Sequence, residues 1–282
     1  GFQGADFLER LLPLAHDAGL RVYGWDFPYL EDIVGDIERA VTAVNFRTTT
    51  GHRIDGFAPD IETGSEGTNL SPESADAYSR LLRGAVGGDY PLVATVPQPS
   101  PSRQETFPYA QIVPYFDAVA PMSYWLNRQP EEDARAAVEY LRRFGKPVIP
   151  VGQAYDGGPE GGRPGPPTAD EIRRFISAAE EAGATGVSFW SWQHATPEIW
   201  EAIRTAPELT IPLERSPLGA RQITAVQTQL TSMGYWAPPT GTWDPQTVHA
   251  VRTFQIELGL LPTGELDIAT RSRLLGPLAP PL

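Results

Sequence analysis

The chain has 282 residues, 41% hydrophobic and 20% charged, and it contains no cysteine. That length suits one large domain or a large and a small one; no apolar run approaches the ~20 residues of a membrane span, and disulfide staples and thiolate metal sites are excluded. The formal net charge is −13, with Lys146 as the single lysine, and no basic stripe is present to neutralise phosphates, which excludes nucleic acid as a partner.

The acidity is uneven: residues 213–282 carry five acids and five arginines, which leaves the whole −13 on residues 1–212. The chain opens at Gly1 without an initiator methionine, with no signal peptide in view and a helical pattern already under way. The native start, and a secretion signal with it, is therefore expected upstream.

Phe7, Leu8, Leu11, Leu12 and Ala15 recur at helical spacing and lead through Gly19 into a strand-like run, Arg21–Asp26. The unit recurs five more times, with strands expected at 54–62, 91–97, 116–125, 146–153 and 185–192 and helical segments between most of them. The last intervening helix is the most completely signalled. Thr168 and Glu171 have capping-box spacing, Ile172, Phe175, Ile176 and Ala179 form one apolar face, and Gly183 ends it.

Strand-then-helix repetition with near-continuous apolar strands predicts a parallel sheet sheathed by helices. The fold class is α/β, a TIM-type (β/α) barrel over residues 1–204, with a doubly wound sheet as the alternative. Six of a barrel's eight strands are found, and an open version would expose apolar edges. Two further strands are expected ahead of Gly1 or from another source.

The Gly/Pro-rich run Gly157–Pro167 lacks the Lys-Ser/Thr of a phosphate loop and is expected as a long loop at the barrel mouth. Residues 205–217, rich in proline, read as a linker, and residues 218–282 as a small three-helix module. In that module Val226, Leu230, Val251, Phe254, Leu258 and Leu274 supply the apolar faces and glycines mark the turns.

The chemistry concentrates in Ile54-Asp-Gly-Phe-Ala-Pro-Asp-Ile-Glu-Thr-Gly64. Residues two apart in a strand share a face, so Gly56, Ala58, Asp60 and Glu62 lie on one side and Phe57, Pro59 and Ile61 on the other. The apolar side is expected against the helices. The acidic side then points into the barrel at its C-terminal end, where such barrels build their sites; a solvated strand tip is the alternative. Trp25, Asp26, Gln153, Tyr155, Trp192 and Gln193 also sit at strand ends and are candidates to line a cleft. His16, His52, His194 and His249 are scattered without ligand spacing, so neither a metal nor another cofactor is expected. No nucleophile elbow anchors a Ser/His/Asp triad.

Asp55-Gly-Phe-Ala-Pro-Asp60-Ile-Glu62 resembles the fourth-strand signature of glycoside hydrolase family 18, the chitinase-like family, Asp-Gly-x-Asp-x-Asp-x-Glu, with Ala58 in place of the middle acid. Pro121-Met122-Ser-Tyr124 is similar to that family's sixth-strand Met-x-Tyr, and Gly186-Val-Ser-Phe-Trp190 to its eighth-strand segment ending in tryptophan. The order makes Arg21–Asp26 the third strand of that barrel.

The resemblance implies substrate-assisted hydrolysis, an exception to the two-carboxylate scheme. Glu62 would protonate the glycosidic oxygen, and Asp60 would orient and charge-stabilise the substrate's N-acetyl group, whose carbonyl attacks the anomeric carbon. Tyr124 would hydrogen-bond that group, Trp190 would floor the sugar subsite, and Met122 is carried over as a substrate-binding position. Such chemistry requires a raised pKa on Glu62. In the family the acid replaced here by Ala58 helps to shuttle the proton, and Trp125 stands where an acid usually follows the tyrosine. These departures keep open a barrel that binds glycan without cutting it. The Asp-x-Glu strand end also resembles family 25 muramidases, against which Tyr124 and Trp190 argue.

In the module, the Gln-x-x-Leu helix ending at Leu230, Met233-Gly-Tyr235, Ala250-Val-Arg-Thr-Phe-Gln255 and Gly259-Leu260 resemble the peptidoglycan-binding type 1 module. Thr240-Gly-Thr-Trp-Asp244 replaces its Asp-Gly-x-Phe-Gly. The implied partner is peptidoglycan or another N-acetylhexosamine polysaccharide, met outside the cell or at its wall, with the module raising the effective concentration of nearby glycan bonds. A helical interaction domain for another ligand is the alternative.

Overall fold

The computed structural model describes residues 4–206, 220–260, 262–266 and 268–275. Six parallel strands run through the first part: β1 Tyr23–Asp26, β2 Gly56–Pro59, β3 Val93–Pro97, β4 Ala118–Ser123, β5 Val151–Gln153 and β6 Ser188–Trp190. One strand falls inside each of the six expected segments. The expected runs are longer because apolar residues continue into flanking chain that packs on the core without joining a ladder.

The hydrogen-bonded order is β1-β2 and β3-β4-β5-β6. Single bridges between Phe57 and Leu92 and between Asp60 and Thr95 join the two groups into one arc. Among the described residues, β1 and β6 pair on one side only.

The connecting helices are α1 Ala5–Asp17, α2 Ile33–Asn45, α3 Pro72–Val86, α4 Pro101–Thr106, α5 Tyr109–Ile112, α6 Pro130–Leu141, α7 Ala169–Glu181 and α8 Pro197–Arg204. The start of α7 is the expected capping box: Thr168 Oγ1 accepts from the Glu171 amide, and the Glu171 carboxylate accepts from the Thr168 amide at 2.9 Å. Its Ile172, Phe175, Ile176 and Ala179 are buried as the periodicity requires.

Strand alternation sorts side chains between two cores. Ala118 and Ala120 of β4 join Val93 and Ile149 in a small cluster inside the arc, with Tyr23, Ala58 and Val151 against it. Val119, between them, packs outward with Phe57, Leu82 and Ile112. Trp125 lies in the outer layer too, buried with Ile172 and Ile199 and 5.3 Å from the Phe175 ring. The departure at this position is thus a core residue under α7 and α8.

The N-terminal end of the arc is pinned by carboxylates just ahead of the strands. Asp55 Oδ2 accepts from the Val22 amide at 2.7 Å and contacts His16 Nε2 at 3.0 Å. Asp117 Oδ2 accepts from the Leu92 amide and from Arg83 Nη2, both at 2.8 Å. Arg83 is itself buried and donates to the carbonyls of Tyr115, Gly87 and Tyr90. This is the face of a barrel that serves stability. His16 and His52, far apart in sequence, meet here with ring nitrogens 2.7 Å apart, because the end of α1 and the loop before β2 share this face.

Among the described residues the C-terminal module has three helices, α9 Ala220–Ser232, α10 Pro245–Glu257 and α11 Ile268–Leu275. Val226, Leu230, Val251, Phe254 and Leu274 are buried together as expected, joined by Ala237, Ala250 and Leu266. Leu258 is a correction: it is 40% exposed, because α10 stops at Glu257 and its C-cap residue leaves the face set by Val251 and Phe254.

Two buried glutamines repeat one device. Gln227 Nε2 donates to Thr240 Oγ1, the Thr242 carbonyl and Thr247 Oγ1, while its Oε1 accepts from the Gly241 amide. Gln255 Nε2 donates to Thr263 Oγ1, the Glu265 carbonyl and Thr270 Oγ1, and its Oε1 accepts from the Gly264 amide. Each amide is fully engaged, so burial is tolerated. Gly241 sits at φ +71° and Gly264 at φ +75°, a region that favours glycine. The Thr-Gly-Thr-Trp-Asp stretch keeps this clasp: Asp244 caps α10 by accepting from the Thr247 amide, and Trp243 packs on the module core.

From residue 207 onward the expected linker lies outside the described residues. The module meets the barrel through Arg271, which donates to the Gly84 carbonyl at 3.3 Å, and through Glu265, 3.7 Å from Arg53. Gly84 is in the last turns of α3 and Arg53 just precedes β2, so the contact is at the N-terminal end of the arc.

Candidate active site

At the opposite end, the chain leaving β2 carries Asp60 and Glu62. The Asp60 amide donates to the Asp26 carbonyl and the Ile61 amide to the Thr95 carbonyl, both at 2.9 Å, which holds this short run between β1 and β3. Phe57 and Ile61 are fully buried on the helix side. Asp60 and Glu62, in the other register, are half-buried at the mouth of the arc.

Burial first, and then the neighbouring Glu62 charge, push the Asp60 carboxyl up to about 7 against a hydrogen bond from Trp25 that opposes the rise. Asp60 Oδ1 is buried without a hydrogen-bond partner. Burial also raises Glu62, against the Thr63 amide, which donates to Glu62 Oε2 at 3.3 Å. Two charges that sequence spacing did not reveal act on the pair. Glu66, in the turn Gly64–Glu66, raises both carboxyls, and Arg103 of α4 lowers Glu62. Glu66 lies only a few residues beyond Glu62; nothing in the sequence singled out Arg103.

Ala58 lies one pleat below Asp60, packed, like Tyr23, against the small inward-facing cluster. No carboxylate therefore stands beneath Asp60, and its rise comes from desolvation and from the charges of Glu62 and Glu66.

Trp25 lies beside Ala58 in the β1–β2 register, and it is 56% exposed. Met122 and Tyr124 continue the inward face of β4 and the chain beyond it, both half-buried. Burial raises the Tyr124 hydroxyl strongly, and the Tyr155, Asp60 and Glu62 charges add to the rise. The Tyr155 ring stands edge-on to Tyr124 with centroids 5.4 Å apart, and its hydroxyl donates to Glu160 at 2.8 Å in the loop after β5. That Gly157–Pro167 loop is held by Asp156 Oδ1, which accepts from the Gly158 and Gly165 amides. Trp190 at the end of β6 is 50% exposed and Trp192 66%.

Two candidates stand apart from this group. Asp26 faces α2, paired with Arg39 at 3.2 Å, because it occupies the outward position next to inward Trp25. Gln153 is buried, its Oε1 accepting from the Leu126 amide at 2.8 Å and its Nε2 donating to the Tyr155 carbonyl at 3.1 Å. It shapes the loops that carry Tyr155. Among the described residues, no group of three or more His, Cys, Asp or Glu side chains could hold a metal ion. The arrangement offers two desolvated carboxyls of raised affinity for protons, a tyrosine hydroxyl and exposed tryptophans on the first and last strands of the arc.

Among solved structures, the chain is similar to a chitinase from Chromobacterium violaceum ATCC 12472, with TM-score 0.52 and 12% identity over 70% of this chain and 83% of that one. The barrel has the chitinase fold. A class V chitinase from Pseudomonas fluorescens Pf-5 aligns with TM-score 0.53 and 13% identity, over 71% of this chain and 85% of that one. The spore cortex-lytic enzyme SleL of Bacillus megaterium QM B1551 aligns with TM-score 0.51 and 14% identity, over 71% and 63%. Residues 220–274 match the family described as "Putative peptidoglycan binding domain". No curated protein matches the sequence. The chain thus joins a chitinase-like barrel to a module of the peptidoglycan-binding type.

Proposed function

We propose that the protein is a wall-associated glycosidase that hydrolyses N-acetylhexosamine-containing glycan, peptidoglycan or chitin-like, by substrate-assisted acid catalysis. The observation that carries this reading is the Asp60–Glu62 pair, desolvated and raised at the C-terminal mouth of the arc. Glu62, protonated, donates to the glycosidic oxygen as the N-acetyl carbonyl oxygen forms a bond to the anomeric carbon and the glycosidic C–O bond breaks. Asp60, ionised, accepts from the acetamido N–H and balances the positive charge that develops there. Tyr124 donates to the acetamido oxygen, and Trp190 lies under the sugar. Water then opens the cyclic intermediate while Glu62 takes back a proton.

The module supports a wall substrate, and so does the likeness to a spore cortex-lytic enzyme. In this reading residues 1–204 are the barrel, 205–217 the linker and 218–282 the wall-holding module, and the protein works outside the cell or at the wall. Contact with the module at the N-terminal end of the arc leaves the cleft open at the other end. One observation favours a second reading, a barrel that binds glycan without cutting it: Ala58 removes the acid that would relay a proton through Asp60.

Release of new reducing ends from peptidoglycan and from chitin oligosaccharides, compared between the full chain and Glu62→Gln, tests the proposal. Loss of a general acid lowers kcat by about 10²–10⁴-fold. Equal rates in the two proteins would sink the assignment of Glu62, and wall binding without any cleavage would establish the second reading.

A further inference from the structure

We infer that the module grips the sugar chain itself, and not a peptide attached to it, in a groove between α10 and the turn after α9; the inference rests on the wall-binding reading above. The groove has a volume of about 600 Å³ and is lined by Tyr235, Trp236, Gln246, His249, Thr253 and Glu257 among others. Gln246, His249, Thr253 and Glu257 recur three and four apart, so they form one stripe of α10, while Val251 and Phe254 on its other side enter the module core. The turn after α9 supplies the second wall.

Trp236, on that wall, is 69% exposed beside Met233, itself 45% exposed. Tyr235 is fixed: its ring meets Phe254 edge-on at 5.3 Å, and its hydroxyl donates to Glu257 Oε2 at 2.6 Å. The Thr253 hydroxyl is spent on the His249 carbonyl at 3.0 Å. The Gln246 amide, the His249 ring and the second oxygen of Glu257 remain to serve a ligand.

A flat ring flanked by an amide, an imidazole and one carboxylate suits a pyranose, whose C–H face stacks on the ring and whose hydroxyl and acetamido groups both donate and accept. A peptide presenting a free carboxylate is best met by a fixed cation, and among the described residues the groove is lined by no lysine or arginine, His249 being its one basic side chain. Its volume accommodates about one disaccharide. Glu265 and Arg271, which bridge to the barrel, are not among its lining residues, so those two contacts do not use the groove.

The test uses the full chain carrying Glu62→Gln, Trp25→Ala, Trp190→Ala and Trp192→Ala, which stops cleavage and strips the exposed tryptophans from the barrel mouth. Binding is measured to purified peptidoglycan sacculi by co-sedimentation, and to glycan strands stripped of their stem peptides and to free stem peptides by calorimetry. Adding Trp236→Ala is expected to weaken binding to sacculi and to stripped strands at least tenfold, and His249→Ala at least threefold, while free stem peptides neither bind nor compete. Both side chains are at the surface, and an unchanged melting profile verifies that each variant is folded. Undiminished binding by both variants, with the parent still held by sacculi, would overturn the groove and leave the wall-binding reading standing. Competition by free stem peptides with no affinity for stripped strands would overturn the sugar as the ligand. A parent protein that fails to bind any of the three probes would end the wall-binding reading and this inference with it.

Discussion

Replacing Asp60 by asparagine should make the protein more stable above neutral pH and, on the proposed mechanism, abolish glycan hydrolysis. Burial and the Glu62 charge lift the Asp60 carboxyl from 3.8 to about 7. The folded state therefore holds this proton more tightly than the unfolded chain does. Below pH ~4 both states are protonated; between pH ~4 and ~7 the unfolded chain ionises first, so stability falls as pH rises, by up to about 1.4 kcal/mol per unit. Above pH ~7 both states are ionised and the full cost of a buried charge, roughly 4 kcal/mol, is in place. The asparagine side chain is neutral throughout and close in shape to the protonated acid. Urea unfolding of both proteins from pH 4 to 8.5, followed by tryptophan fluorescence, gives the difference in stability directly. It should be near zero at pH 4 and grow to a few kcal/mol in favour of the variant by pH 8. Because Asp60 and Glu62 titrate as a pair, the difference between the two proteins is the quantity to read. A difference flat across this range to within ~0.5 kcal/mol would refute the account of Asp60 as a desolvated carboxylate.

Ala58→Asp would bring a carboxylate against the inward-facing cluster with Tyr23 and Val93; it should cost about 1–3 kcal/mol at neutral pH, and a third like charge should push the Asp60 midpoint above about 7. A variant as stable as the parent with an unmoved titration would contradict this. The Tyr124 hydroxyl reaches the mouth and is raised by burial and nearby acids; on the proposed mechanism Tyr124→Phe should lower kcat/KM on N-acetylated substrates by about 10–100-fold with little change in Tm, and an equal loss of stability would point to packing instead. Gln227→Leu removes four hydrogen bonds inside the module and should destabilise it by about 3 kcal/mol or more, seen in calorimetry as a lowered module transition beside an unaltered barrel transition.

Much of this architecture is legible along the chain. Periodicity located all six strands and the α7 capping box, because ladders and caps depend on residues a few positions apart. The period-2 pattern likewise put Asp60 and Glu62 on the face opposite Phe57 and Ile61, which is where their burial sorts them. Trp125, Asp26 and Gln153 show where local reading stops. Whether a side chain at a strand end enters the cleft, pairs with Arg39 on α2, or is taken up by neighbouring backbone depends on helices and loops distant in sequence. The same holds for the charges of Glu66 and Arg103 on the acid pair and for the meeting of His16 with His52. Spacing along the chain was enough for the strand-and-helix order, the helical module and the shared face of Asp60 and Glu62. Desolvation, charge proximity and the face on which the module's groove opens were decided only by tertiary structure, because each is a property of what surrounds a residue in space.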